Sequence, residues 1–200
     1  MKSLKIIGYS GHSYVCIDSH LKNNGVVEGY FDDNKKKENP YGLDYFGSEG
    51  NDISNHDIFI TIGDNIIRKK VYNEIKKNNN THINIIDPSS VISLQADLSF
   101  QIYVGSNAII NSKSLIEEGC IINSGSIIEH QCILKSFSHI APGATLCGNV
   151  SVGHNSFIGS NSVVLPNITI GNDVIVGAGS VITKNIPSNS IVFGNPGKIK

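Results

Sequence analysis

Hydrophobic residues recur at every sixth position through the second half of the chain. From Ile86 to Ile182, all seventeen of these positions hold Ile, Leu or Val. The residue four places further on is usually small or β-branched, as at Ala108, Cys120 and Ser126. A period of six fits neither an α-helix, which repeats every 3.6 residues, nor an alternating strand. It predicts a β-helix in which each hexad forms a short strand and a turn, and three hexads close one triangular coil.

The first 85 residues or so follow a different pattern, in which apolar strands alternate with helix-like segments. This alternation predicts a small, Rossmann-like parallel α/β domain. Residues 1–85 and 86–200 are therefore expected to form two domains, with the change at Asp87-Pro88 and a turn-rich tail from Val192 to Lys198. The predicted strands are Leu4–Ile7, Val26–Phe31, Asp57–Ile62 and Ile83–Ile86, and the predicted helices run to about Lys22 and from Asn65 to Lys77, with Ile66, Ile67, Val71 and Ile75 as the apolar positions of the second.

Charge and composition exclude several function classes. The net charge of −1 and the lack of a long basic run argue against nucleic-acid binding, and Lys35 to Lys37, beside acidic residues, are interpreted as a solvated loop. No apolar run reaches the length of a membrane span and no signal-peptide core is seen, so we expect no membrane insertion and a cytoplasmic location. Cys120 and Cys132 occupy small inward positions, which is typical of buried free thiols in a reducing compartment.

Three polar segments follow predicted strands of the first domain. Gly8-x-Ser10-Gly11-His12 follows the first strand and precedes a helix, a context in which backbone N–H groups can hold a phosphate. Asp32-Asp33 and Gly63-Asp64-Asn65 follow the second and third strands. Ligands of open α/β sheets bind at this carboxyl edge, so the three segments predict a binding site there. The first segment is shorter than the dinucleotide fingerprint, which does not support a full NAD site.

Two histidines of the predicted β-helix are candidates for chemistry. His130 comes two residues after the inward Ile128 and therefore cannot lie in the core. His139 lies half a coil further on, which predicts a neighbouring corner or face and a shared cleft if a second subunit closes it. An exposed surface histidine is the alternative for each. With His154, their spacing of nine and fifteen residues does not favour the three ligands of a zinc site, so no metal is expected.

The hexads, together with Ile128-Glu129-His130-Gln131-Cys132 and Ser138-His139-Ile140-Ala141-Pro142-Gly143-Ala144, resemble the left-handed β-helix acyltransferases. The tail Gly194-Asn195-Pro196 is similar to the usual ending of that family. With the three polar segments of the first domain, the whole chain resembles the branch that acetylates nucleotide-linked 4-amino-4,6-dideoxy sugars, which includes the bacillosamine-pathway acetyltransferase and is related to the sialic acid O-acetyltransferases. The resemblance implies left-handedness and a homotrimer.

The resemblance also implies roles for individual residues. His130 is the expected general base, with Glu129 and Gln131 beside it, and Gln131 stands where relatives usually carry Asp or Glu. The residues expected to bind acetyl-CoA are His139, Gly148, Ser160 and Ala178. Those expected to bind the nucleotide sugar are Ser10, Gly11, His12, Asp32, Asp33 and Gly63, with Asn123 in the same cleft as His130 and His139.

The expected reaction is direct attack of the sugar C4 amine on the thioester of acetyl-CoA, with a UDP- or dTDP-linked sugar as acceptor and no metal. A base with a pKa near neutrality suits this chemistry, because a sugar ammonium must lose a proton before or during attack. Two alternatives stay open. One is O-acetylation of a sialic acid or a similar hydroxyl with the same donor and base. The other is a non-catalytic or metal-binding trimeric β-helix scaffold.

Overall fold

The computed structural model describes residues 3–48, 56–76 and 83–200. The N-terminal part contains a four-stranded parallel sheet in the order β3-β2-β1-β4, packed against two helices. Its elements are β1 (Leu4–Ile7), α1 (Gly11–Lys22), β2 (Val27–Phe31), β3 (Asp44–Tyr45), β4 (Asp57–Ile60) and α2 (Asn65–Ile75). Ile7 pairs with both Phe31 and Ile60, so the carboxyl ends of the three main strands align at one edge, as predicted.

Both helices begin at that edge. The Ser13 hydroxyl bonds the backbone N–H and C=O of Ser10 in the first turn of α1. In α2, the Asp64 carboxylate accepts the N–H groups of Ile66 and Ile67, at 2.9 and 2.8 Å, and caps the helix. The predicted apolar face of α2 is partly wrong, because Ile66 and Ile67 are exposed. The face that packs on the protein consists of Asn65, Arg68, Val71 and Ile75.

The remaining chain forms a β-helix with the predicted period. Each strand pairs in parallel with the strand eighteen residues further on, as Ile121 does with His139, so three hexads make one coil. Face one holds β5 (Ile85–Ile86), β8 (Tyr103–Val104), β11 (Ile121–Ile122), β14 (His139–Ile140), β17 (Phe157–Ile158), β20 (Ile175–Val176), β22 (Ile191–Phe193) and β23 (Lys198–Ile199). Face two holds β6 (Val91–Ile92), β9 (Ile109–Ile110), β12 (Ile127–Ile128), β15 (Thr145–Leu146), β18 (Val163–Val164) and β21 (Val181–Ile182). Face three holds β7 (Asp97–Leu98), β10 (Leu115–Ile116), β13 (Ile133–Leu134), β16 (Ser151–Val152) and β19 (Thr169–Ile170).

The interior of the coil contains both predicted classes of inward residue. Large aliphatics such as Ile128 and Leu146 and small residues such as Ala144, Cys120 and Cys132 are completely buried. The four cysteines are free thiols. The hydrophobic period is therefore confirmed as the pattern of a parallel β-helix.

Two predicted elements differ in the structure. The segment predicted as a fourth strand of the α/β domain contributes only Ile85–Ile86, and this strand pairs with Tyr103–Val104 as the first strand of face one. The predicted tail does contain a turn at residues 194–197, but it also forms β22, which continues face one, and β23, which pairs with it antiparallel. In both places the strand forms because its backbone pairs with a neighbouring coil. The hydrophobic period of the sequence does not indicate this pairing.

One residue in each hexad turn between Gln101 and Gly179 adopts a left-handed backbone conformation, with φ between 54° and 69°. Most of these positions hold Asn, Asp or Gly, which tolerate this region, whereas Gln101, Lys113, Gln131 and Phe137 do not ordinarily adopt it. Gln101 and Phe137 are buried. The repeat therefore imposes this conformation regardless of residue type, and it fixes the direction of each turn side chain.

The N-terminal sheet and helices pack on face one. The outward side chains Tyr103 and Ile121 of face one join the core formed by Leu4, Ile6 and Cys16. At the outer edge of the sheet, the Gln101 amide accepts the N–H of Ile60 at 3.0 Å and donates to the carbonyl of Ile58 at 2.6 Å. A β-helix turn thereby satisfies the backbone of the edge strand β4.

Candidate active site

A cleft of about 350 Å³ opens at the carboxyl edge of the N-terminal sheet. It is lined by Gly8, Tyr9, Ser10, Asp32, Asp33, Lys36, Ile62, Gly63, Asp64 and Ile67. The structure thus brings together four residues that sequence analysis assigned to nucleotide-sugar binding: Ser10, Asp32, Asp33 and Gly63. Gly11 lies next to this cleft as the exposed first residue of α1.

The cleft is suited to a phosphorylated ligand. Helices α1 and α2 both begin beside it. The Asp64 carboxylate already caps α2, so the N-terminus of α1 is the helix end that can offer N–H groups to a phosphate. Lys36 adds a cation, and its ammonium lies 2.7 Å from the Asp32 carboxylate. The other oxygen of that carboxylate accepts the Tyr9 N–H at 2.9 Å, so Asp32 orders the loop after β1. Sequence analysis missed Lys36 because it treated the lysine cluster as a solvated loop.

His12 and His139 meet between the N-terminal part and face one. The two imidazole rings lie 6.4 Å apart, and the Phe157 ring packs edge-on against His139 at 5.0 Å. Burial, with the Arg68 guanidinium as the second cause, lowers the pKa of His12 to about 4 and that of His139 to about 3. Both imidazoles are therefore neutral at pH 7.

Asn123 selects the tautomer of His139. The Asn123 side-chain oxygen accepts the N–H of Ser124 at 2.8 Å, which leaves its amide nitrogen to face His139 Nε2 at 3.2 Å. An amide nitrogen only donates, so Nε2 must accept and the proton of this neutral imidazole lies on Nδ1. His139 is thus oriented by Asn123, in agreement with the expectation that the two residues share a site.

Arg68 is buried beside this group, and sequence analysis missed it. Its side chain donates to the carbonyls of Ile62, Gly63, Gly119 and Phe137 and to the Asn65 amide oxygen, over 2.8 to 3.1 Å. Burial lowers the pKa of Arg68 to about 10, so the group stays charged at pH 7. The sequence could have indicated its burial, because Arg68 precedes Val71 by three residues and Ile75 by seven and so lies on the same face of the helix.

His130 lies at the corner between faces two and three. Its side chain is exposed, and Nδ1 lies 3.2 Å from the side-chain oxygen of Gln131. The ring rests over Gly148, where an added Cβ would lie 2.5 Å from Cε1 of the imidazole. Glu129 is half-buried at the same turn. Among the described residues, the recorded side-chain hydrogen bond of His130 goes to Gln131.

The expected position of His139, at a corner or face neighbouring that of His130, is wrong, whereas a cleft that the two histidines share across subunits stays a prediction. His139 is on face one, whereas His130 is at the corner between faces two and three, which is opposite face one in a triangular prism. Ser160 and Ala178, predicted to contact acetyl-CoA, stack one coil apart at the corner between faces one and two. The two histidines are nine residues apart, which is half of an eighteen-residue coil, and half a coil separates a corner of a triangular prism from the opposite face. One chain therefore cannot bring both histidines to one ligand.

The part of the chain that the structure describes lacks both a membrane-spanning helix and a group of metal ligands. Neither α1 nor α2 is long and apolar enough to cross a bilayer. Within residues 3–48, 56–76 and 83–200, no three side chains of His, Cys, Asp or Glu are grouped as metal ligands.

Comparison with known proteins adds two family matches. The model described as PglD N-terminal domain matches residues 3–75, and the model described as bacterial transferase hexapeptide (six repeats) matches residues 149–184. These matches fall on the N-terminal sheet and on the last coils of the β-helix.

Solved structures match over essentially the whole chain. A variant of perosamine N-acetyltransferase from Caulobacter crescentus, in complex with CoA and GDP-perosamine, is 32% identical over 99% of this chain and 96% of its own, with a TM-score of 0.94. The acetyltransferase domain of PglB from Neisseria gonorrhoeae, in complex with acetyl coenzyme A, is 28% identical over 100% of this chain and 99% of its own, with a TM-score of 0.94. WeeI from Acinetobacter baumannii, at 22% identity and a TM-score of 0.90, shares the fold. The chain therefore belongs to the hexapeptide-repeat sugar N-acetyltransferases of the left-handed β-helix family.

Proposed function

We propose that this protein transfers the acetyl group of acetyl-CoA to the C4 amine of a nucleoside-diphosphate 4-amino-4,6-dideoxy sugar. The observation that carries the proposal is the cleft at the sheet edge, where the N-terminus of α1 and the Lys36 ammonium offer positive charge to a diphosphate. The complexes of relatives with CoA, acetyl coenzyme A and GDP-perosamine support the same donor and acceptor classes. UDP, dTDP and GDP all remain candidates for the nucleotide.

The N-terminal cleft binds the nucleotide part of the acceptor. Backbone N–H groups of Gly11 and His12, in the first turn of α1, face the diphosphate beside Ser10, and Asp32 and Asp33 are placed for hydroxyl or base contacts. The sugar then extends past Gly63 toward His139 and Asn123 on face one. Gly63 gives the sugar this path, because it borders the cleft and lies next to His12: a Cβ added at residue 63 would be 3.8 Å from the His12 Cβ. The His12 ring in turn lies 6.4 Å from the ring of His139 on the β-helix.

The chemistry requires one base and no covalent acyl-enzyme intermediate. His130 takes a proton from the sugar ammonium, the amine nitrogen attacks the thioester carbon, and the C–N bond forms. Collapse of the tetrahedral intermediate breaks the C–S bond, and the leaving CoA thiolate takes up the second proton that the nitrogen loses as the neutral amide forms. Backbone N–H groups at a β-helix turn stabilise the oxyanion. Gln131 orients the imidazole through its contact with Nδ1.

A homotrimer completes this site. Face two connects the corner of Asn123, Ser160 and Ala178 to the corner of His130 and Gly148. If face two turns toward a three-fold axis, the first corner of one chain lies beside the second corner of its neighbour. Acetyl-CoA then binds between chains, along Ser160 and Ala178, with His139 and Asn123 from one chain and His130 from the next. Outward Ile109, Ile127 and Val163 on face two give this contact an apolar surface.

The test is thiol release from acetyl-CoA with a panel of acceptors. The panel pairs UDP-, dTDP- and GDP-linked 4-amino-4,6-dideoxy sugars with the matching 4-hydroxy sugars and with a sialic acid. We expect turnover with at least one amine acceptor and not with its hydroxyl counterpart. Turnover confined to hydroxyl acceptors would overturn the proposal in favour of O-acetylation, and failure to bind CoA would favour a non-catalytic scaffold.

The composite site has a separate test by subunit mixing. His130→Ala and Asn123→Ala chains are each expected to be inactive, but mixed trimers contain sites that take an intact residue from each chain. Random mixing in equal amounts should restore about a quarter of the sites. Mixed trimers that regain no activity, or a stable and active monomer in sedimentation, would show that each site lies within one chain.

A further inference from the structure

The nucleotide cleft and the transfer chemistry belong to different parts of this molecule. The cleft lies in the N-terminal sheet, whereas His139, Asn123 and the acetyl-CoA corner lie on the β-helix. A displacement of about 1 Å between a bound substrate and the reacting group can cost a factor of 10² in rate. Some contact must therefore fix the position of the cleft along the axis of the β-helix, relative to the coil that carries His139.

Arg68 makes such a contact in both directions. Two of its hydrogen bonds, both 3.0 Å, hold the carbonyls of Ile62 and Gly63 in the loop that borders the cleft. Two others reach the β-helix turns, to the carbonyls of Gly119 at 2.8 Å and Phe137 at 3.1 Å. Those turns lead directly into the strands of Ile121 and His139. One rigid guanidinium thus joins the cleft loop to the row that carries His139.

Asn65 extends the same connection by one coil. Its amide oxygen accepts from Arg68 at 2.8 Å, and its amide nitrogen donates to the carbonyls of Asn155 and Ser156 at 2.9 and 3.3 Å. Those residues precede Phe157, whose ring packs against His139. Three successive coils are therefore tied to the same loop.

The chemistry of this contact favours geometry over stability as its purpose. Every recorded hydrogen bond of Arg68 goes to a neutral oxygen, and the side chain is 2% exposed. Burial of a cation is costly, and apolar residues of similar volume often stabilise a protein as well or better. Arginine differs from them, and from lysine, in offering five donors in a fixed plane that can hold several carbonyls in one arrangement.

We propose that Arg68 and Asn65 are positioning residues that set the register of the nucleotide cleft against the His139 row, and thereby place the acceptor amine for transfer. This inference rests on the proposed function. It predicts a specific split between binding and transfer. A free nucleoside diphosphate contacts only the cleft, so its binding does not depend on the register. Transfer to the attached sugar does depend on it.

The decisive variant is Asn65→Ala, which removes the donors to Asn155 and Ser156 but leaves the bonds from Arg68 to Ile62 and Gly63. Arg68→Lys is the second variant, since it retains the charge with three donors in place of five. Gln101→Ala is the matched control, because Gln101 also joins the two parts but at the outer edge of β4. Lys70→Ala removes an exposed cation from the same helix.

The measurements are the Kd of the free nucleoside diphosphate, the KM of acetyl-CoA, and kcat/KM for the nucleotide sugar that the wild-type enzyme accepts. For Asn65→Ala and Arg68→Lys we expect kcat/KM for the sugar to fall by about 10²-fold, with Kd and the acetyl-CoA KM within about threefold of wild type. Gln101→Ala should lower Tm but change kcat/KM by less than about threefold.

Equal losses of kcat/KM in Gln101→Ala and Asn65→Ala would show that any contact between the N-terminal part and the β-helix matters equally, and not specifically the register at Gly63. That result would overturn the inference. So would unchanged kcat/KM in Asn65→Ala. If Arg68→Lys does not fold, the outcome for Asn65→Ala decides. A wild-type enzyme inactive on every nucleotide amino sugar would refute the proposed function instead, because the variants are compared only with an active wild type.

Discussion

The contact between Gly148 and the His130 imidazole gives the sharpest prediction for a single methyl group. A Cβ at residue 148 would lie 2.5 Å from Cε1, 2.6 Å from Nε2 and 3.2 Å from Nδ1 of His130. Non-bonded carbon atoms settle at about 3.5–4.0 Å, so Gly148→Ala must move the ring by about 1 Å. Because His130 is exposed at a corner, its ring can swing outward, and we expect Tm to change little.

The cost of this movement falls on transfer. A general base contributes about 10²–10⁴ in rate, and a displacement of about 1 Å costs about 10². Gly148→Ala should therefore lower kcat/KM about 10²-fold, which corresponds to about 2.7 kcal/mol of transition-state stabilisation. The KM of acetyl-CoA should change little if residue 148 acts through His130.

The assay is thiol release at saturating acetyl-CoA, run on wild type, Gly148→Ala, His130→Ala and the double variant. His130→Ala alone should reduce turnover about 10²–10⁴-fold. In the His130→Ala background, Gly148→Ala should add no further loss, because the two changes act on one group. An additive loss, or a raised acetyl-CoA KM with unchanged kcat, would refute the reasoning and assign Gly148 to the acetyl-CoA site that the sequence resemblance suggests.

Three further predictions concern charge. Gln131→Glu should move the acidic limb of the kcat/KM profile upward by about half to one pH unit, since a carboxylate beside the imidazole stabilises its cation; a larger change in Glu129→Gln would show that Glu129 orients the ring instead. His12 and His139, with pKa values of about 4 and about 3, are neutral in the fold but protonated in the unfolded chain below about pH 6.5. The contribution of each histidine to the free energy of unfolding is therefore complete above about pH 6.5 and should fall by about 1.4 kcal/mol per pH unit from there toward about pH 4. When the free energy of unfolding from urea titrations is plotted against pH, His139→Gln should give a shallower slope than wild type, and an unchanged slope would contradict this prediction. Asp33→Ala should raise the acceptor KM and spare CoA binding, and equal damage to both substrates would place the sugar elsewhere.

The sequence by itself determined the elements whose burial repeats locally. The inward positions of the β-helix could be read from the period of six, because each hexad turns the same two positions toward the interior. In the first coil these positions are only partly buried. The strand Leu4–Ile7 and the start of α2 at Asn65 were also predicted, since apolar runs and an Asp N-cap are local signals. The convergence of Ser10, Asp32 and Gly63 followed from the parallel strand order alone.

Only the tertiary structure decided which side of the prism each turn side chain occupies and what covers it. His139 is buried because the N-terminal sheet and helices pack on face one, whereas His130 lies on the opposite side and stays exposed. Ile85–Ile86 joined face one because its pairing partner lies eighteen residues on in the chain, which a local pattern does not encode. Arg68 lies on a helix predicted as amphipathic, yet four carbonyls from two parts of the molecule surround its guanidinium. Long-range packing supplies those acceptors, and no local sequence pattern specifies them.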